Sequence, residues 1–127
     1  MNMVDIYDAQ ARLKNTVHHT ALERSLTFSR MVGGDLYLKC ENLQKTGSFK
    51  VRGAYNKIAK IADRGVKTVV ASSAGNHAQG VAYAANEKGM RSIIVMPAST
   101  PIDKVSATEN YGAQVVLHGD VYDDAYA

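Results

Sequence analysis

The chain has 127 residues, 46% of them apolar and 21% charged, with a formal charge of +3; that length fits one domain with a real core. Its 15 basic residues are spread along the chain, which argues against a nucleic-acid stripe. The single cysteine, Cys40, excludes an intramolecular disulfide or a multi-cysteine metal framework.

No basic-then-apolar leader opens the sequence, and no apolar run approaches a membrane span. A cytosolic protein is expected, with no membrane or nucleic-acid partner. Asp5 to Lys14 reads as a helix, with Ile6, Ala9 and Leu13 at helical spacing. A polar connection follows over Thr16 to Thr20. His18 and His19 are adjacent there, but neighbouring side chains diverge and no third ligand lies nearby, so no metal site is expected. Leu22 to Val32 reads as a second helix, stopped by Gly33-Gly34.

Asp35 to Glu41 alternates. Leu36, Leu38 and Cys40 point one way, Tyr37, Lys39 and Glu41 the other, as in a half-buried strand with Cys40 in the core. Asn42 to Gly47 has turn chemistry. Ser48 can cap the next helix, whose apolar stripe is Val51, Ala54, Tyr55, Ile58, Ile61 and Ala62, with Gly65 as terminator. The pattern then repeats: strand Thr68 to Ser72, helix Gly75 to Lys88, strand Ser92 to Met96, a helix begun by Thr100, Pro101 and Asp103 with Pro in the first helical position, and strand Gln114 to Leu117. Asp120 can cap a last helix. The sum is an α/β fold, β-α-β-α-β, with a parallel open sheet, right-handed crossovers and helices on both faces.

Two stretches can carry chemistry. The first is Glu41 to Ala54, E-N-L-Q-K-T-G-S-F-K-V-R-G-A, which places Lys50 at a helix start. The positive end of the helix dipole disfavours an ammonium there, and burial would disfavour it further. Both effects favour a nucleophilic amine. The second is Ser72 to Gly80, S-S-A-G-N-H-A-Q-G, between a strand's carboxyl end and a helix N-terminus, where open α/β sheets bind ligands and free N–H groups attract anions. Capping by Ser73 or Asn76, and close packing at Gly75 and Gly80, would explain the same residues. Nucleotide motifs fail on spacing: no G-x-G-x-x-G follows the first strand, and T-G-S-F-K lacks P-loop order. No G-x-S-x-G elbow occurs. Asp120, Asp123 and Asp124 are better explained by helix capping than by a metal.

K-C-E-N-L-Q-K-T-G-S-F-K-V-R-G-A followed by S-S-A-G-N-H-A-Q-G-V-A resembles the threonine dehydratase and serine racemase group of fold-type II pyridoxal-phosphate enzymes. M-P-A-S-T-P-I-D-K-V and N-Y-G-A-Q-V-V-L-H-G extend the match over essentially the whole chain. The resemblance implies pyridoxal 5'-phosphate as cofactor, bonded through the Lys50 amine, which would also act as base at the substrate Cα. Phe49 would pack beside the cofactor, and Asn76 would hydrogen-bond its 3'-oxygen. Ser73, Asn76 and His77 would hold the carboxylate of a small amino-acid substrate. The implied reaction is dehydration and deamination of L-threonine to 2-oxobutyrate, and of L-serine to pyruvate, with release of ammonia. It would serve isoleucine biosynthesis or threonine catabolism.

Racemases of this group carry serine just before G-N-H as an acid/base. Here that residue is Ala74, which favours elimination over racemisation. Ala21 stands where the family usually has proline, implying only a change in loop stiffness. The group's chains are longer, and its glycine-rich phosphate loop lies beyond the matched region. The expected organisation is therefore 1–50 as the start of a larger cofactor domain and 51–127 as most of a smaller α/β domain, in a homo-oligomeric parent enzyme. Without that phosphate loop the cofactor loses its main anchor, so the isolated chain is expected to be inactive; the alternative function is a non-catalytic folding or association module without stable binding of pyridoxal phosphate. A flavodoxin-like ligand-binding domain would explain the repeat but not the two motifs.

Overall fold

The alternation of short strands and amphipathic helices is realised in the computed structural model, which describes residues 2–127. Helix α1, Met3–Leu13, starts where Asn2 and Asp5 form a reciprocal capping box. It packs on α3, Lys50–Ala62, where Arg12 donates to Asn56 at 2.8 Å.

The segment read as one helix over Leu22 to Val32 divides in two. Leu22–Arg24 is a strand, β1, paired antiparallel with β2, Tyr37–Lys39. Only Leu26–Val32 is helical, as α2. Ser25 sets the boundary by accepting from the Phe28 amide at 3.3 Å. The stop at Gly33 is as expected, with φ of 68°, a left-handed cap that glycine adopts without strain. The expected half-buried strand over Asp35 to Glu41 shortens to β2, whose residues are all exposed. Cys40 is half-buried rather than a core residue, and a 3-10 turn, Glu41–Leu43, follows.

Strands β3, Thr68–Ser72, β4, Arg91–Met96, and β5, Gln114–Leu117, form a parallel sheet in the order β3-β4-β5. Helices α4, Asn76–Glu87, and α5, Ile102–Asn110, are the two crossovers. Short β-branched strands cannot turn back on themselves in parallel, so each return needs a helix. The last helix, α6, is Tyr122–Tyr126. Two start signals differ from expectation. Pro101 is the cap of α5 rather than its first helical residue. Asp120 does not cap α6; the Asp124 carboxylate instead accepts from the Asp120 and Val121 amides at 2.9 and 3.2 Å, which lowers its pKa.

On β4, Ser92, Ile94 and Met96 are buried, while Ile93 and Val95 are half-buried. Ile94 and Met96 meet Ala54, Ile58, Ala82 and Val105 in one core joining sheet and helices. The alanine face of α4 lets α3 approach closely, and this helix pair makes the most extensive contact in the fold. Each large side chain fully buried here contributes about 1.5–3 kcal/mol. No helix among the described residues is long and apolar enough to cross a membrane.

Candidate active site

Helix α3 begins at Lys50, as the sequence suggests, but its cap is Phe49. Ser48 contributes from one residue further back, its Oγ accepting from the Lys50 amide at 3.3 Å. Lys50 is exposed, where the sequence reading allowed for burial. Among the described residues its Nζ makes no hydrogen bond or ion pair, and it lies 5.3 Å from the centre of the Phe49 ring. Phe49 is itself 59% exposed, an unusual cost for an aromatic ring.

Ser73, Asn76 and His77 lie on the turn from β3 into α4. Ser73 is anchored by its amide, which donates to the Val95 carbonyl at 3.1 Å, while its Oγ accepts from the Gly75 amide at 3.4 Å. Neither Ser73 nor Asn76 caps the helix. The cap is Gly75, which offers no side chain, and the first amides of α4 have no side-chain partner among the described residues. Asn76 and His77 are exposed at that end. A helix start left open in this way attracts anions such as a carboxylate.

Gly80 joins the two stretches. A Cβ at Gly80 would lie 3.2 Å from the Val51 nitrogen and 3.3 Å from the Lys50 carbonyl carbon. One turn of α4, a rise of about 6 Å, separates Gly80 from Asn76. The N-terminal end of α4 is thus held against the first residues of α3. His77 also lines an open groove of about 270 Å³ with Gly53, Lys57, Ile58 and Val70. A larger groove of about 430 Å³ lies elsewhere, beside the exposed Arg24–Asp35 ion pair, and holds none of these residues.

Sequence reasoning missed four polar residues here. Among the described residues, Thr46 and Ser72 each bury a hydroxyl without a partner, at a cost of about 1–3 kcal/mol apiece. Ser72 immediately precedes Ser73, and Thr46 lies four residues before Lys50. Glu41 and Arg52 pair across the Lys50 turn, Nε to Oε2 at 2.7 Å. The paired guanidinium holds the Glu41 carboxyl down to about 2 and raises Arg52 in turn. Opposite charges bracketing the motif were the available signal.

Residues 13–127 match the family model described as pyridoxal-phosphate dependent enzyme. The chain belongs to that family. It is 56% identical over 127 residues to an L-threonine ammonia-lyase of Thermotoga maritima, a match covering 99% of this chain and 32% of that protein. Among solved structures, maize serine racemase superposes with a TM-score of 0.91 at 38% identity, over 98% of this chain and 38% of that one. The processed threonine deaminase isoform 2 of Solanum lycopersicum superposes at 0.88 and 36% identity, over 97% and 34%. The chain spans about a third of the length of the curated relatives it matches. Deaminase and racemase are thus alike in backbone over this region, and side chains must discriminate them.

The donor set suits the aldehyde end of the family's cofactor. An amine without a partner lies beside an exposed aromatic ring, and the start of α4 presents an amide side chain, with a buried unpaired hydroxyl at the end of β3.

Proposed function

We propose that this chain carries the lysine-bearing part of a pyridoxal-phosphate-dependent ammonia-lyase. Its substrate would be L-threonine, with L-serine as a second one, and its products 2-oxobutyrate or pyruvate and ammonia. The observation that carries the reading is the contact of Gly80 with the Lys50–Val51 backbone. It packs the backbone that bears Lys50 against α4, one helical turn in from that helix's open amides.

When bound, pyridoxal phosphate supplies an electron sink that makes the substrate Cα–H acidic. Lys50 would hold the cofactor through its Nζ and, once displaced, take the Cα proton. Phe49 would flank the ring. The Asn76 side chain would donate to the 3'-oxygen. Ser73, Asn76, His77 and the open amides would hold the substrate carboxylate and fix the direction of the Cα–H bond. Ala74 offers no proton donor, which supports elimination over racemisation even though a serine racemase is among the similar folds. Residues 1–50 would then begin the larger cofactor domain and 51–127 form most of the smaller one, in a cytosolic homo-oligomer.

A second reading, an association module, is favoured for the isolated chain by its exposed apolar side chains. Met31 is 74% exposed, Val70 67%, Val4 65% and Leu22 63%, apolar area whose burial against a partner would be favourable.

In a full-length protein carrying this chain, incubation with pyridoxal phosphate followed by borohydride should label Lys50, and threonine should yield 2-oxobutyrate in a reaction abolished by Lys50→Ala. Label scattered over surface lysines, with no oxo acid, would leave only the association reading.

A further inference from the structure

A second polar cluster lies at the base of the turn that carries Lys50. The Arg52 guanidinium donates to both oxygens of Glu41, Nε to Oε2 and Nη2 to Oε1, each at 2.7 Å. Its Nη2 also reaches the His18 carbonyl at 3.4 Å. The Thr20 hydroxyl donates to Glu41 Oε1, and the Lys39 ammonium donates to the Thr20 carbonyl. Gln44 ties the same segments again, accepting from the His18 amide at 2.8 Å and donating to its carbonyl at 3.0 Å.

The location of this cluster gives it a consequence. Glu41 and Arg52 are eleven residues apart in sequence, and Lys50 lies between them, two residues before Arg52 on the first turn of α3. The pair closes the ends of that turn, removing the freedom an open loop would keep. On another flank, the Gly80 backbone abuts the Lys50–Val51 peptide. The main chain at Lys50 is thus gripped from two elements while its side chain stays exposed.

An exposed ion pair would hold little. Here the Glu41 side chain is only 15% exposed and the Arg52 side chain 32%, and the contact is a two-point fork with further donors on the same carboxylate. Such a fork fixes orientation as well as attraction, and a lysine ammonium cannot reproduce it.

We propose that Glu41 and Arg52 are a positioning pair for Lys50, holding its backbone in register with the start of α4 so that its amine reaches one place. The inference rests on the role given to Lys50 above. Neither residue touches the reacting atoms; both act through the main chain of the turn.

The test uses the full chain and pyridoxal phosphate as the probe. Labelled lysines are mapped after borohydride reduction, and amide hydrogen exchange is followed in parallel. In Glu41→Gln and Arg52→Lys, the share of label on Lys50 should fall about tenfold, the equivalent of ~1.4 kcal/mol, while exposed Lys57, Lys67 and Lys88 label as before. Exchange should quicken at the amides of residues 50–53 and stay unchanged at 81–85 within α4. The exchanged pair, Glu41→Arg with Arg52→Glu, should recover part of both. Unchanged labelling and exchange in folded variants would overturn the proposal. If the native chain never labels Lys50, the function proposed above fails, and the exchange measurement alone then decides this one. If either variant fails to fold, Thr20→Val removes a single donor to Glu41. It should give a smaller change in the same direction, and no change would overturn the pairing role.

Discussion

Gly80 and Lys50 touch backbone to backbone: a Cβ at position 80 would sit 3.3 Å from the Lys50 carbonyl carbon. A residue with no side chain therefore sets the distance between the two stretches that the sequence marks as chemical. Gly80→Ala poses a direct competition. Alanine favours a helix interior by about 1 kcal/mol over glycine. Overpacking costs about 1–3 kcal/mol, and the atoms that must yield are backbone rather than flexible side chain. Net destabilisation of about 1 kcal/mol is expected in urea unfolding, with reduced labelling of Lys50; Gly80→Val should lose far more.

Glu41 gives the fold an acid-sensitive component. Its carboxyl titrates near 4.5 when free and at about 2 beside Arg52. A depressed folded pKa means the stabilisation is complete above pH 4.5 and is lost as pH falls toward 2. The contribution at neutral pH is at most about 3 kcal/mol. Glu41→Gln should flatten the dependence of the urea midpoint on pH across that window, whereas an unchanged slope would assign acid sensitivity to other carboxylates.

Tyr83 and Tyr111 clasp the turn before Lys50. Lys45 Nζ donates to Tyr83 Oη at 2.8 Å, and Tyr83 Oη donates to the Thr16 carbonyl at 3.3 Å. Tyr111 Oη donates to the Lys45 carbonyl at 3.0 Å, and the two rings meet edge to face. Tyr83→Phe keeps the ring contact and loses both hydroxyl bonds, so about 1–2 kcal/mol should be lost. The bond to Tyr83 raises the Lys45 pKa, and NMR titration should find that pKa lower in Tyr83→Phe.

Ala74 is half-buried against the core. Ala74→Ser introduces the hydroxyl that the resemblance to racemases implies at this position, and under the function proposed above it should raise racemisation relative to elimination, read as D-serine against pyruvate from L-serine. An unchanged ratio would remove position 74 from the argument about reaction type.

Ile94 is fully buried between the sheet and its helices. Ile94→Ala should cost about 2–5 kcal/mol through lost burial and a residual cavity, measurable as a lowered urea midpoint.

The sequence alone determined the helix–strand alternation from Lys50 onward, with β3 and β5 at their observed limits and Lys50 at the start of α3. These features are local: apolar periodicity, β-branched runs and glycine stops act within a few residues. Only the tertiary structure decided the division of Leu22 to Val32, because Leu22–Arg24 becomes a strand by pairing with Tyr37–Lys39, a partner that local pattern cannot supply. The same holds for the exposure of Lys50, the contact with Gly80 and the Glu41–Arg52 pair. Each depends on segments brought together by folding, and one-dimensional spacing carries no distance across a turn or between two helices.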